Sequence, residues 1–138
     1  KVRILISSTA VNDQVNTHLL KDFDYVFSDY TPQLLETIIE MVEQDEEKGR
    51  YLIILDDIIG SVNFKRQGKV DEISALASKY RHIGNEEQEG KLSICMTTQY
   101  WKYFSGILRN NATAYYLMGA FPESFIFRWR FKRIFTDI

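Results

Sequence analysis

The stretch YLIILDDIIGS, residues 51–61, constrains the fold more than any other part of this chain. Five apolar residues run on without alternation and stop at two adjacent aspartates, Asp56 and Asp57. A short continuous apolar run is typical of a strand buried on both faces of a parallel sheet. Carboxylates beside a core are costly unless something compensates them, so both acids need a polar environment.

The neighbouring segments supply the rest of such a sheet. KVRILISST, at the start, reads as a strand followed by a loop, and FDYVFSD as a weaker second strand. YTPQLLETIIEMVEQDEEKG reads as a helix: Thr31 suits the N-cap, Pro32 the first helical position, and Gly49 the far end. Leu34, Leu35, Ile38, Ile39, Met41 and Val42 recur at helical spacing, and the acidic run after Met41 forms a solvated face. VDEISALASKYR predicts another helix, with Ile73, Leu76, Ala77 and Tyr80 on one side. NEEQEG predicts a polar turn, and KLSICMTTQ and ATAYYLMG two further strands, the first of the buried kind. Strands alternating with helices predict an α/β domain with a mostly parallel sheet. At 138 residues, without repeats or a clear linker, the chain reads as a single domain or part of one.

Composition narrows the functional classes. A formal charge of −2 exerts no global pull on nucleic acid, so any such contact must be local. The single cysteine, Cys95, excludes an internal disulfide; it reads as a core residue in a reduced, intracellular protein. No apolar run approaches the roughly 20 residues that span a bilayer, so no membrane partner is expected. The chain opens directly on a strand without an initiator methionine, and the expectation is a piece of a longer protein.

In open parallel sheets, ligands bind at the carboxyl ends of the strands. Three such ends carry polar groups here: Ser7-Ser8-Thr9, Asp56-Asp57 and Thr97-Thr98-Gln99. An apolar strand ending in two acids has the form of a Walker B segment. One fixed carboxylate can hold a hydrated magnesium ion against phosphates, and the second acid can polarise the attacking water. Aspartates also end strands for turn-forming reasons alone. Gln99 can orient water or sense a γ-phosphate, or serve as a turn residue. Arg81 and Arg109 can meet phosphate charge across a subunit boundary, or form surface ion pairs. His18 and His82 are too far apart in sequence to point to a histidine metal site. No segment matches G-x-x-x-x-G-K-[ST]: Gly68-Lys69 and Gly90-Lys91 both lack the preceding glycine and the following hydroxyl residue.

Taken in order, KVRILISST, YLIILDDIIGS, LASKYRHIGN, LSICMTTQYWKYFSGILRNNAT and YYLMG resemble the genome-packaging ATPases of poxvirus-like large DNA viruses. Those proteins, with virophage and transposon relatives, belong to the FtsK–HerA superfamily of RecA-like P-loop motors. The resemblance covers residues 1–119 and rests on the linked set rather than on any one piece. The chain departs from the family in the longer NEEQEGK segment.

The resemblance implies that Asp56 is the magnesium aspartate and Asp57 the catalytic acid. It implies that Gln99 is the polar sensor at the nucleotide, Arg109 the first choice for a trans-acting finger, and Arg81 the second. It further implies ATP and Mg2+ as cofactors, double-stranded DNA as the moved substrate, and self-association into a hexameric ring. A viral capsid partner and a location in host cytoplasm (a viral factory) or in the virion follow from the same likeness. On this reading the RecA-like core lacks its P-loop strand and helix, which would lie upstream of Lys1, and the 138 residues alone do not hydrolyse ATP.

In the segment FIFRWRFKRIF, at 125–135, Arg128, Arg130, Lys132 and Arg133 interleave with Phe127, Trp129, Phe131 and Phe135, an alternation that suggests period two. That pattern suits either a solvated edge strand or a contact with nucleic acid. Two other functions remain open on the sequence: a non-catalytic α/β scaffold or binding subunit, and a metal-dependent phosphohydrolase. The latter would need more acids, for which Asp24 and Asp29 are the nearest candidates.

Overall fold

A computed structural model describes residues 1–10, 17–46, 49–58, 71–83, 91–99, 104–117 and 134–136. Four strands form an all-parallel sheet in the order β2-β1-β3-β4: β1 (Val2–Ser7), β2 (Tyr25–Phe27), β3 (Tyr51–Asp56) and β4 (Leu92–Thr97). The helices α1 (Thr17–Leu20), α2 (Pro32–Gln44) and α3 (Glu72–Lys79) fall between successive strands. The α/β architecture expected from the alternation is therefore present. The registers run Ser7 to Asp56 across β1 and β3, and Asp56 to Thr97 across β3 and β4. Three strand ends thus come level.

The sheet has two unlike faces. Ile4 and Ile6 of β1, Tyr51, Ile53 and Leu55 of β3, and Leu92 of β4 join one core with Leu35, Ile38 and Val42 of α2 and Ile73 and Leu76 of α3. On the opposite face Leu52 and Ile54 are half-buried, and Ser93 and Cys95 are exposed. Right-handed crossovers account for the asymmetry. The connections through α2 and α3 both step in one direction along the sheet and cover the same side. The connection through the four-residue α1 steps the other way.

This corrects two expectations. β3 is not buried on both sides: its continuous apolar run packs tightly on one face only, with alternate residues half-buried. Cys95 is an exposed residue of β4, not a core one. Local hydrophobicity does not report how much chain is available to cover each face.

α2 begins as its sequence dictates. Thr31 is extended, its Oγ1 accepts the Leu34 amide proton at 3.1 Å, and Pro32 opens the helix. It ends at Gln44, five residues before the glycine expected to close it, because Asp45 leaves helical geometry. The Asp45 carboxylate accepts the Gly49 amide at 2.8 Å. A Cβ at Gly49 would lie 2.8 Å from that same carboxylate oxygen, so a larger residue would disturb the closure. Lys91, only 5% exposed, donates from Nζ to the Asp45 carbonyl at 2.7 Å. A cation at a helix C-terminus satisfies an orphan carbonyl and suits the dipole.

α3 starts at Asp71, whose carboxylate accepts the Ser74 amide at 2.8 Å and the Ser74 hydroxyl at 2.6 Å. The buried Ser74 Oγ also meets Ser105 Oγ at 2.7 Å. Ser105 caps α4 (Gly106–Asn111), so one polar chain ties the starts of two helices together. A 3-10 turn, Tyr80–His82, follows α3.

The strand expected in ATAYYLMG is β5 (Tyr115–Leu117), which pairs in parallel with β6 (Ile134–Thr136) in a separate two-stranded sheet. The polar turn at 85–90 and most of the basic-aromatic stretch, 125–133, lie outside the described residues. Among the described residues no helix is long and apolar enough to cross a membrane.

Candidate functional site

The level ends of β1, β3 and β4 form the floor of an open cleft of about 410 Å3 lined by Thr9, Asp56, Asp57, Thr97, Thr98 and Gln99. Its position follows from topology, since the loops leave all parallel strands on the same side of the sheet. Asp56, Thr97 and Ser7 share the less covered face, because they are register partners on adjacent strands. The strand ends carrying Asp-Asp and Thr-Thr-Gln are neighbours, as the sequence pattern anticipated.

Asp56 is held on both carboxylate oxygens by hydroxyl groups. Ser7 Oγ, wholly buried, donates to Oδ2 at 2.8 Å, and Thr9 Oγ1 makes a longer 3.4 Å approach to the same oxygen. Ser7 Oγ also accepts the Ala10 amide at 3.0 Å. Thr97 Oγ1 donates to Oδ1 in a short hydrogen bond. Neutral donors fix the direction of the carboxylate without cancelling its charge. Among the described residues no lysine or arginine pairs with Asp56 or Asp57.

Asp57 has φ 48°, in the left-handed region that non-glycine residues seldom enter. Aspartate is among the few types that tolerate it. The turn takes the second acid out of strand alternation, and both consecutive aspartates line one cleft. In a continued strand the second would point to the opposite face. Its amide donates to Thr97 Oγ1 at 3.3 Å.

The structure therefore brings together Asp56, Asp57 and Gln99. Arg81 and Arg109 do not line the cleft. Arg81 lies on its neighbour Tyr80, with Nε 3.2 Å from the phenol oxygen and the guanidinium over the ring. Arg109 is half-buried on α4, and its carbonyl accepts a short hydrogen bond from the Tyr115 hydroxyl. Burial pushes the Tyr115 pKa up, against the opposing pull of the Arg109 charge. Asp24 accepts the Arg3 amide at 2.7 Å, at the other end of β1, and Asp29 takes the hydroxyl of adjacent Ser28 at 3.0 Å. Neither joins the cleft. The sequence signalled the hydroxyl residues at the ends of β1 and β4, but not that they converge on one carboxylate.

The donor set has a definite chemistry. All cleft-lining side chains offer oxygen, with the single amide nitrogen of Gln99 as the exception. Hard oxygen donors suit magnesium better than a soft or borderline metal. Among the described residues no group of three or more His, Cys, Asp or Glu could hold a metal by itself. That fits an ion that keeps several waters and takes its remaining ligands from a bound phosphate. No family model, curated protein or solved structure matches the chain.

Proposed function

We propose that the chain carries the Walker B and sensor half of a magnesium-dependent ATPase, acting in a DNA translocase of the genome-packaging kind that its motifs resemble. The observation that carries the reading is the meeting of Asp56, Asp57 and Gln99 in one cleft at the carboxyl ends of adjacent parallel strands. When bound, magnesium would supply charge neutralisation on the phosphates. Asp56, aimed by its hydroxyl donors, would hold the hydrated ion. Asp57, carried out of the strand by its left-handed turn, would accept a proton from the attacking water. Gln99 would orient that water by hydrogen bonding.

The positions of Arg81 and Arg109 agree with an action in trans. An arginine that completes a neighbour's site has to lie away from its own cleft, and both do. Arg109 remains the first choice because its helix follows the sensor strand directly. On this reading the working form is a ring, hexameric in the family resembled, that moves double-stranded DNA into a viral capsid. It would work in the host cytoplasm or within the virion.

The test is ATP turnover by the protein expressed from its complete gene, with and without double-stranded DNA. Asp57→Asn preserves the left-handed turn, which asparagine also tolerates, and removes only the charge. It is expected to leave ATP binding intact and to lower turnover by about 10²-fold or more. Turnover unchanged by Asp57→Asn would overturn the assignment. A protein that binds no nucleotide would overturn the ATPase reading in favour of a scaffold or a phosphohydrolase.

A further inference from the structure

The Thr97 hydroxyl is hydrogen-bonded to both aspartates, to the Asp56 carboxylate and to the Asp57 backbone amide. Its Oγ1 donates to Asp56 Oδ1 and accepts the Asp57 amide at 3.3 Å. A hydroxyl has one proton to give and two lone pairs, so these contacts use its donor and half its acceptor capacity. Ser7, by contrast, reaches only Asp56 of the two acids; its Oγ also accepts the Ala10 amide and lies 3.2 Å from Thr9 Oγ1.

We propose that Thr97 is the positioning residue of this site, a single hydroxyl that sets the direction of the Asp56 carboxylate and the backbone placement of Asp57. The two acids have different needs. Asp56 continues the strand and requires only rotational fixing. Asp57 occupies a left-handed conformation, and a residue there stays put only where its surroundings over-determine it. The Thr97 hydroxyl is a restraint supplied from the neighbouring strand, so Asp57 is tied to β4, which also leads to Gln99 two residues later. Acid, water-polarising group and sensor are thereby referred to one point. For what the acids act on, this proposal rests on the nucleotide reading; for the restraint itself, it does not.

Two substitutions and two readouts separate these halves. Thr97→Val keeps the β-branched shape and deletes the hydroxyl, whereas Thr97→Ser keeps the hydroxyl. Amide hydrogen exchange, followed residue by residue by NMR, reads the restraint. Thr97→Val is expected to speed exchange at Asp57 about tenfold while Ile53 and Leu55 are unchanged, and Thr97→Ser to restore it. Mn2+ binding in the presence of ATP, followed by electron paramagnetic resonance, reads the consequence. An approximately tenfold weaker affinity is expected for Thr97→Val, near wild type for Thr97→Ser.

An Asp57 amide indifferent to Thr97→Val overturns the restraint. Unchanged Mn2+–ATP affinity, with faster exchange at Asp57, overturns the positioning role. If the wild-type protein binds no Mn2+–ATP while the exchange effect stands, the nucleotide reading fails and the restraint survives.

Discussion

Ile53 and Ile54 are adjacent on one strand and chemically identical, yet they serve opposite faces of the sheet. Ile53 is fully buried among residues of β1, α2 and α3, whereas Ile54 is half-buried beside Leu5 and the exposed Cys95. The face of Ile53 has no polar strand residue in its core. The face of Ile54 ends, two residues on, at Asp56, with Ser7 and Thr97 on either side. The tightest packing lies on one side of this sheet and the candidate site on the other. Burial that fixes a fold leaves no room for water or ligand, while a site needs an opening.

Truncation at the two isoleucines probes that division most directly. Ile53→Ala is expected to cost about 4 kcal/mol, since it removes well-packed methyl groups and leaves a cavity between sheet and helices. Ile54→Ala should cost only about 1 kcal/mol, because water already reaches part of its surface. Both are checked by urea unfolding, and equal losses would break the contrast.

Tyr30 supplies a smaller effect of opposite sign. It belongs to the covered core, 7% exposed, and among the described residues its hydroxyl has no hydrogen-bond partner. Burial, and then the charges of Glu72, Asp71 and Glu36, push its pKa far above the ordinary phenol value. Tyr30→Phe removes an uncompensated polar group and should stabilise by up to about 1 kcal/mol. A clear loss of stability would show that the hydroxyl is satisfied and the covered face less strictly apolar.

The mildest probe is Cys95 on the open face. Partial burial raises its thiol pKa, and the negative charge of Asp56 adds to that. A raised value means less thiolate at a given pH, so alkylation by iodoacetamide at pH 8 should be slower than for a free cysteine thiol. The rate should keep rising at pH values where an ordinary thiol has levelled off. Asp56→Asn removes the second cause and should speed the reaction. A rate indifferent to that change would place the thiol away from the acid.

Much of the fold was legible because its signals are local. The alternation of strands and helices and the Thr31-Pro32 start of α2 both follow from neighbouring residues. The two-sidedness of β3 was misread, and Cys95 with it, because apolar composition does not say what chain crosses which face. Lys91 was missed since its partner, the Asp45 carbonyl, is 46 residues away. The Asp56 site was half legible. The acids announced themselves, but Ser7, Thr9 and Thr97 are ordinary hydroxyl residues until register brings them to one carboxylate.

β4 forms one border of the main sheet, and among the described residues no strand lies beyond it. Its sequence, LSICMT, includes neither proline nor a charge, two common means by which such borders resist unwanted pairing. Among the described residues the outer side of β4 has no strand partner, and a net charge of −2 offers little repulsion between copies of the chain. Ser93→Lys, on the exposed face and away from the acids, is the natural gatekeeper for keeping the protein dispersed.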